Sequence, residues 1–154
     1  MQIADRFIVQ ATTEKVWRLL WDFPRLAGCL PGCREIVRVD DTVYRAKMKQ
    51  SVGPFTLDMD MTFKVVEVEE GRRIVFSGSG QDRTGNRMKL DRATLELDPR
   101  SDTETEVAFD ADMSLYGKMA ALGHSMIVRK SRDIGVEFGR RITEELSKEE
   151  VSHG

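Results

Sequence analysis

Few residues of this chain combine a type and a spacing that could do chemistry. Cys29 and Cys33 lie four positions apart. A structural zinc site wants four ligands, and beside these thiols the sequence offers only His124 and His153. The spacing is also not the two-residue gap of a redox pair. The pair therefore reads as structural, at a helix-to-strand turn, with metal or redox chemistry as the lesser alternative. His124 has no Ser or Cys nucleophile signature around it, so a triad has no support. It reads as a surface or partly buried histidine, the alternative being a hydrogen bond to a ligand. Asp58 and Asp60 are spaced like paired carboxylates, yet alternation puts both on the wet face of a strand. Gly78-Ser79-Gly80 has the look of a phosphate loop, but no helix follows to supply its positive end. It reads as a sheet bend where the backbone must approach the last helix. No catalytic residue, metal ligand or cofactor is expected.

Eight methionines are the unusual feature of the composition. Met48, Met59, Met61, Met113, Met119 and Met126 fall on expected inward positions. Methionine fills irregular cores and also suits adaptable pockets, so ordinary packing and a lipophilic cavity both fit. The polar groups that could project into such a pocket are few: Tyr44, Ser79, Gln81 and His124. Arg129, Lys130, Arg132, Arg140 and Arg141 give the last helix a basic side. That side is a solvated face, or else a docking surface for an acidic partner or lipid headgroups.

These residues need elements to position them. From Lys118 to Lys148, apolar residues recur at gaps of mostly 3 or 4, with Met119, Leu122, Met126, Ile134, Phe138, Ile142 and Leu146 along one side, predicting one long helix. Gly123, Gly135 and Gly139 lie within it, each costing about 1 kcal/mol against Ala. Either close backbone packing or vacant space is implied. The preceding chain predicts a strand at 2–9, then a short helix capped by Thr12 or Thr13. A second short helix follows from about Pro24 to Leu30. Strands are predicted at 34–40, 43–50, 57–65, 73–80, 86–97 and 107–115, with a bulge near Asp91. The expected class is α+β. A curved antiparallel sheet of about seven strands carries two short helices, and a long C-terminal helix crosses its concave face in a helix-grip arrangement. A cavity between helix and sheet is the expected by-product.

A length of 154 residues fits one domain, expected over 1–148 with a polar tail at 149–154. A net charge of −2 gives no pull toward nucleic acid. No run of about 18 apolar residues is present to span a membrane, and no basic-then-apolar leader opens the chain. The expected location is the cytoplasm.

Cys29-Leu30-Pro31-Gly32-Cys33 resembles a signature of the carbon monoxide dehydrogenase G-subunit family, within the START-like (SRPBCC) helix-grip superfamily. The resemblance continues through Val52-Gly53-Pro54 and Ser77-Gly78-Ser79-Gly80-Gln81, and extends to Gly117-Lys118-Met119-Ala120-Ala121-Leu122-Gly123. It implies a non-catalytic protein that binds a lipophilic molecule such as a quinone. Such a protein would carry a quinone or lipid to a molybdenum hydroxylase, or assist that enzyme's membrane recruitment or assembly. The expected cavity lining is Leu30, Tyr44, Met48, Met59, Met61, Phe63, Phe76, Phe109, Met113, Met119, Leu122 and Met126. The alternatives are a polyketide cyclase/aromatase-like enzyme using the same cavity, and a ligand-free assembly factor. Some members of the family carry a hydrophobic C-terminal extension. Here the chain ends Glu149-Glu150-Val151-Ser152-His153-Gly154, and an acidic end is repelled by an anionic leaflet. At most peripheral contact with the inner membrane face is expected.

Overall fold

Strict alternation and early capping set the local structure. The computed structural model describes the backbone of residues 1–153 and the side chains of residues 1–149. Strand β1 (Gln2–Val9) leads into α1 (Thr13–Trp21), whose N-cap Thr12 accepts a hydrogen bond from the Lys15 amide at 3.3 Å. Helix α2 (Phe23–Cys29) follows, with Pro24 in its first turn, where a missing N–H costs nothing. The strands β2 (Cys33–Arg38), β3 (Val43–Val52), β4 (Phe55–Glu69), β5 (Arg73–Gln81), β6 (Arg87–Pro99) and β7 (Thr105–Tyr116) then form a meander. All neighbours are antiparallel, in the order β1-β7-β6-β5-β4-β3-β2.

The pairing slips between Val65 and Glu67, between Phe76 and Gly78, and between Leu90 and Arg92. The slip beside Asp91 is the expected bulge. Val65 pairs with Phe76, which pairs with Ala93, so the irregularities lie side by side across three strands. Extra residues bend a strand and raise its twist, and this line is where the sheet coils. Val66 is the unpaired extra residue of β4 there, and it is 64% exposed despite its type.

The last helix departs from expectation. Residues Lys118–Ala121 form a separate 3₁₀ turn, Leu122 is extended, and α3 runs from His124 to His153. It continues through the stretch expected as a tail. The break has a packing reason: the short turn lets Met119 and Leu122 bury themselves in the sheet mouth while α3 runs off along β1. Near its C-terminal end α3 also meets α1 and α2, where Arg25 pairs with Glu145 at 3.1 Å and Glu149 at 2.6 Å.

Two main apolar clusters hold helix to sheet. One, under α1 and the C-terminal half of α3, contains Val9, Val16, Leu19, Val107, Ile142 and Leu146. The other, at the opposite end, contains Ile3, Met59, Met61, Met119, Leu122 and Ile127. Leu90, Ala93 and Ala111 form a smaller one with Phe63, Phe76, Phe109 and Met113 packed against it.

Candidate functional site: the apolar inner face of the sheet

Residues directly opposite one another on paired strands share a face. Met61 is opposite Gly80 and Phe63 is opposite Gly78, so both glycines face inward with them. A Cβ on Gly78 would lie 2.9 Å from Cδ1 of Phe63. These glycines therefore make room for side chains from the adjoining strand, not for the last helix, which corrects the expectation for Gly78-Ser79-Gly80. Ser79, opposite Thr62, and Gln81, opposite Asp60, face the other way and are exposed. They cannot serve as inward polar groups.

The inner face presents a row of aromatic rings. Phe63 and Phe76 lie 5.9 Å apart between centroids, and Phe76 and Phe109 lie 6.5 Å apart. Small Ala93 and Ala111 between them permit this approach. Of the twelve expected lining residues, Tyr44, Met59, Met61, Met119 and Leu122 are buried. Leu30, Met48, Phe63, Phe76, Phe109 and Met113 are only half-buried. Met126 is 40% exposed and sits over the β3–β4 turn, where a Cβ on Gly53 would come within 2.8 Å of its sulfur. It lies outside the lining, because the break at Leu122 shifts the phase of α3. Tyr44 packs against Trp21 and Phe23 at 6.4 and 5.0 Å, beside α1 and α2. Phe7 was missed. It packs on Gly135 and Gly139 and lies 5.8 Å from Phe138, and the two glycines four apart were its signal.

The titratable residues give no reactive cluster. Cys29 is buried and Cys33 half-buried, both as free thiols. Burial pushes both upward, and the Cys33 thiol donates to the Glu35 carbonyl at 3.6 Å. Among the described residues no group of three or more His, Cys, Asp or Glu is placed to hold a metal. His124 is exposed at the start of α3, with Nε2 3.5 Å from the Gln2 carbonyl oxygen. Asp58 and Asp60 are exposed, as alternation requires. On α3, Arg140 pairs with Glu137 at 2.7 Å and Glu144 at 2.8 Å, and Arg141 with Glu137 at 3.0 Å. Part of the basic side is thus neutralised within the helix. Among the described residues, no helix is long and apolar enough to cross a membrane.

Solved structures with this fold include a conserved protein from Geobacillus kaustophilus, at TM-score 0.85 and 20% identity over 96% of each chain. A START superfamily protein from Mycobacterium smegmatis gives TM-score 0.69 and 12% identity, over 96% of this chain and 97% of the other. The Zhui aromatase/cyclase from Streptomyces sp. R1128 gives 0.67 and 13%, over 96% of this chain and 94% of the other. At these identities the likeness establishes the START-like helix-grip fold. No curated protein matches the sequence. The model of the carbon monoxide dehydrogenase G-subunit family, CoxG, matches residues 6–147, nearly the whole chain, and the chain belongs to that family.

Proposed function

We propose that this protein is a non-catalytic carrier that holds a lipophilic small molecule between α3 and the inner face of the sheet. The observation that carries this reading is the half-buried row of Phe63, Phe76 and Phe109, with Met113 beside it. Core side chains of a well-filled domain are fully enclosed. Here aromatic rings face the helix side and still retain accessible surface. Apolar surface of that kind gains free energy when a ligand covers it.

The cargo we propose is a quinone or lipid, carried to a molybdenum hydroxylase or helping to recruit or assemble it; membership of the CoxG family supports this reading. A carrier is favoured over a cyclase-like enzyme because Ser79 and Gln81 turn away from the inner face of the sheet. General acid–base work needs polar groups within reach of the substrate.

Native mass spectrometry of protein purified without detergent, followed by organic extraction, tests the reading. A co-purifying lipophile, or saturable binding of an added short-tailed quinone, is the expected result. Empty protein that binds neither quinone nor fatty acid would overturn it. A hydroxylase captured by that empty protein would then favour the ligand-free assembly factor.

A further inference from the structure

We propose a second binding site, on the sheet face turned away from α3: a docking groove for an extended, acidic segment of a protein partner. It is independent of the lipophile-carrier reading. The groove has a volume of about 1410 Å³ and runs across the outer faces of β2 to β6, ending at Tyr116 of β7. Small-molecule pockets are typically about 300–1,000 Å³ and mostly apolar. This one is larger and open, which suits a stretch of polypeptide.

Its charge runs against that of the chain. Five Lys and Arg side chains line it against three carboxylates, in a protein with more acids than bases. Strand register organises these cations. Arg45 lies opposite Thr62, Thr62 opposite Ser79, and Ser79 opposite Lys89. Short hydroxyl side chains thus form the floor, and long cations rise at its two sides. Ser77 continues the floor along β5, and Lys64 opposite it on β4 adds a third cation to the same face. Lys89 is held by Asp91 at 3.3 Å, while Arg45 and Lys64 have no ion pair among the described residues.

Spacing selects the occupant. With strands about 4.8 Å apart, Arg45 and Lys89 stand roughly 14 Å apart across the sheet. A single phosphate cannot bridge that distance. An extended peptide rising about 3.3 Å per residue places carboxylates at positions i and i+4 roughly 13 Å apart on one face. Apolar contacts are available at both ends. Val37 and Val39, 45% and 50% exposed, flank the β2 edge, and Tyr116 lies 5.5 Å beneath the Arg87 guanidinium at the other.

The test is fluorescence anisotropy with a fluorescein-labelled ten-residue peptide of alternating Glu and Thr, at low and physiological salt. Saturable binding that weakens with salt is expected. The double variant Arg45→Glu/Lys64→Glu should weaken it at least tenfold, with cooperative melting unchanged. Arg129→Glu/Arg132→Glu on α3 should leave it intact. If charge reversal perturbs folding, Arg45→Gln/Lys64→Gln should show a smaller loss in the same direction. Absence of saturable binding overturns the proposal, as does equal loss from the α3 variant. Displacement of the peptide by equimolar inorganic tripolyphosphate would also overturn it, in favour of a small-polyanion site.

Discussion

A Cβ built on Gly139 of α3 would lie 2.7 Å from Cδ2 of Phe7 on β1. Real side chains do not approach so closely, so the ring seats against bare helix backbone. At Gly135, one turn earlier, the corresponding distance is 3.3 Å. Gly139→Ala would gain about 1 kcal/mol of helix propensity and meet an overpacking cost of about 1–3 kcal/mol. The expected net effect is a melting temperature a few degrees lower, with Gly135→Ala close to neutral. Phe7→Leu should relieve much of the Gly139→Ala loss, and a double-mutant cycle would read that coupling. Gly28→Ala, with open space around it, should not destabilise.

That contact also shows what could and could not be read from the sequence. The two glycines were visible as anomalies in a helical pattern, but their partner was not, because β1 alternates loosely. The meander itself was legible: Met59, Met61 and Phe63 against Asp58, Asp60 and Thr62 is a half-wet strand in any fold. So was the bulge near Asp91, since Met88 and Leu90 fall out of phase with Ala93, Leu95 and Leu97. The direction of Ser79 and Gln81 depended on which residues lay opposite them, a long-range fact that local alternation does not contain. The break at Leu122 was hidden for a similar reason. Met119 and Leu122 suit an amphipathic helix locally, and only the sheet mouth they fill makes the separate turn favourable.

That separate turn hangs on the β5–β6 connection. Asn86, 5% exposed, accepts a hydrogen bond from the Met119 amide at 2.9 Å. Its own Nδ2 donates to Asp82 at 2.9 Å, and Asp82 also accepts from the amides of Thr84 and Asn86 at 2.9 and 2.8 Å and from the Thr84 hydroxyl at 2.9 Å. Burial alone would raise Asp82, but the hydrogen bonds from Asn86 and Thr84 outweigh it and hold the carboxyl at about 2. A depressed folded value stabilises the fold fully above the unfolded value of about 3.9, and that contribution disappears as pH falls toward 2. Melting curves from pH 5 to 2 should therefore fall more steeply for the native protein than for Asp82→Asn. Asn86→Ala would leave the Met119 amide without its partner, at a cost of about 1–3 kcal/mol. Hydrogen exchange should show that loss first at residues 118–122.

The two thiols respond to pH in the opposite sense to Asp82. Cys29 is raised first by burial and next by the charge of Glu145, with Arg25, Arg141 and Lys148 pulling back. Cys33 is raised by burial, which outweighs the opposing pull of the Glu35 backbone. A raised folded value leaves stability intact below the unfolded value of about 8.5 and removes it as pH climbs past the folded one. Melting temperature should thus decline above about pH 8.5, with a shallower slope in Cys29→Val/Cys33→Ala. Thiolate is the reactive form, so iodoacetamide at pH 7 should modify native protein far more slowly than unfolded protein. Rapid labelling of both thiols in the folded state would contradict this placement.

The aromatic row supplies the sharpest division between a pocket and a core. If Phe109 served packing alone, Phe109→Ala would cost stability and nothing else. As a half-buried ring it should cost less than the roughly 3–5 kcal/mol of a fully buried phenylalanine. If the ring also covers a ligand, the variant should bind a short-tailed quinone about tenfold more weakly, which is about 1.4 kcal/mol. Val39→Thr, at a position 50% exposed beyond the end of β2, is the control and should change neither quantity. Ligand should raise the melting temperature of the native protein in proportion to its saturation, because it binds only the folded state. That rise should shrink in Phe109→Ala and Phe63→Ala but not in Val39→Thr. Equal shifts in all of them would place the quinone elsewhere on the molecule and leave the inner row as packing.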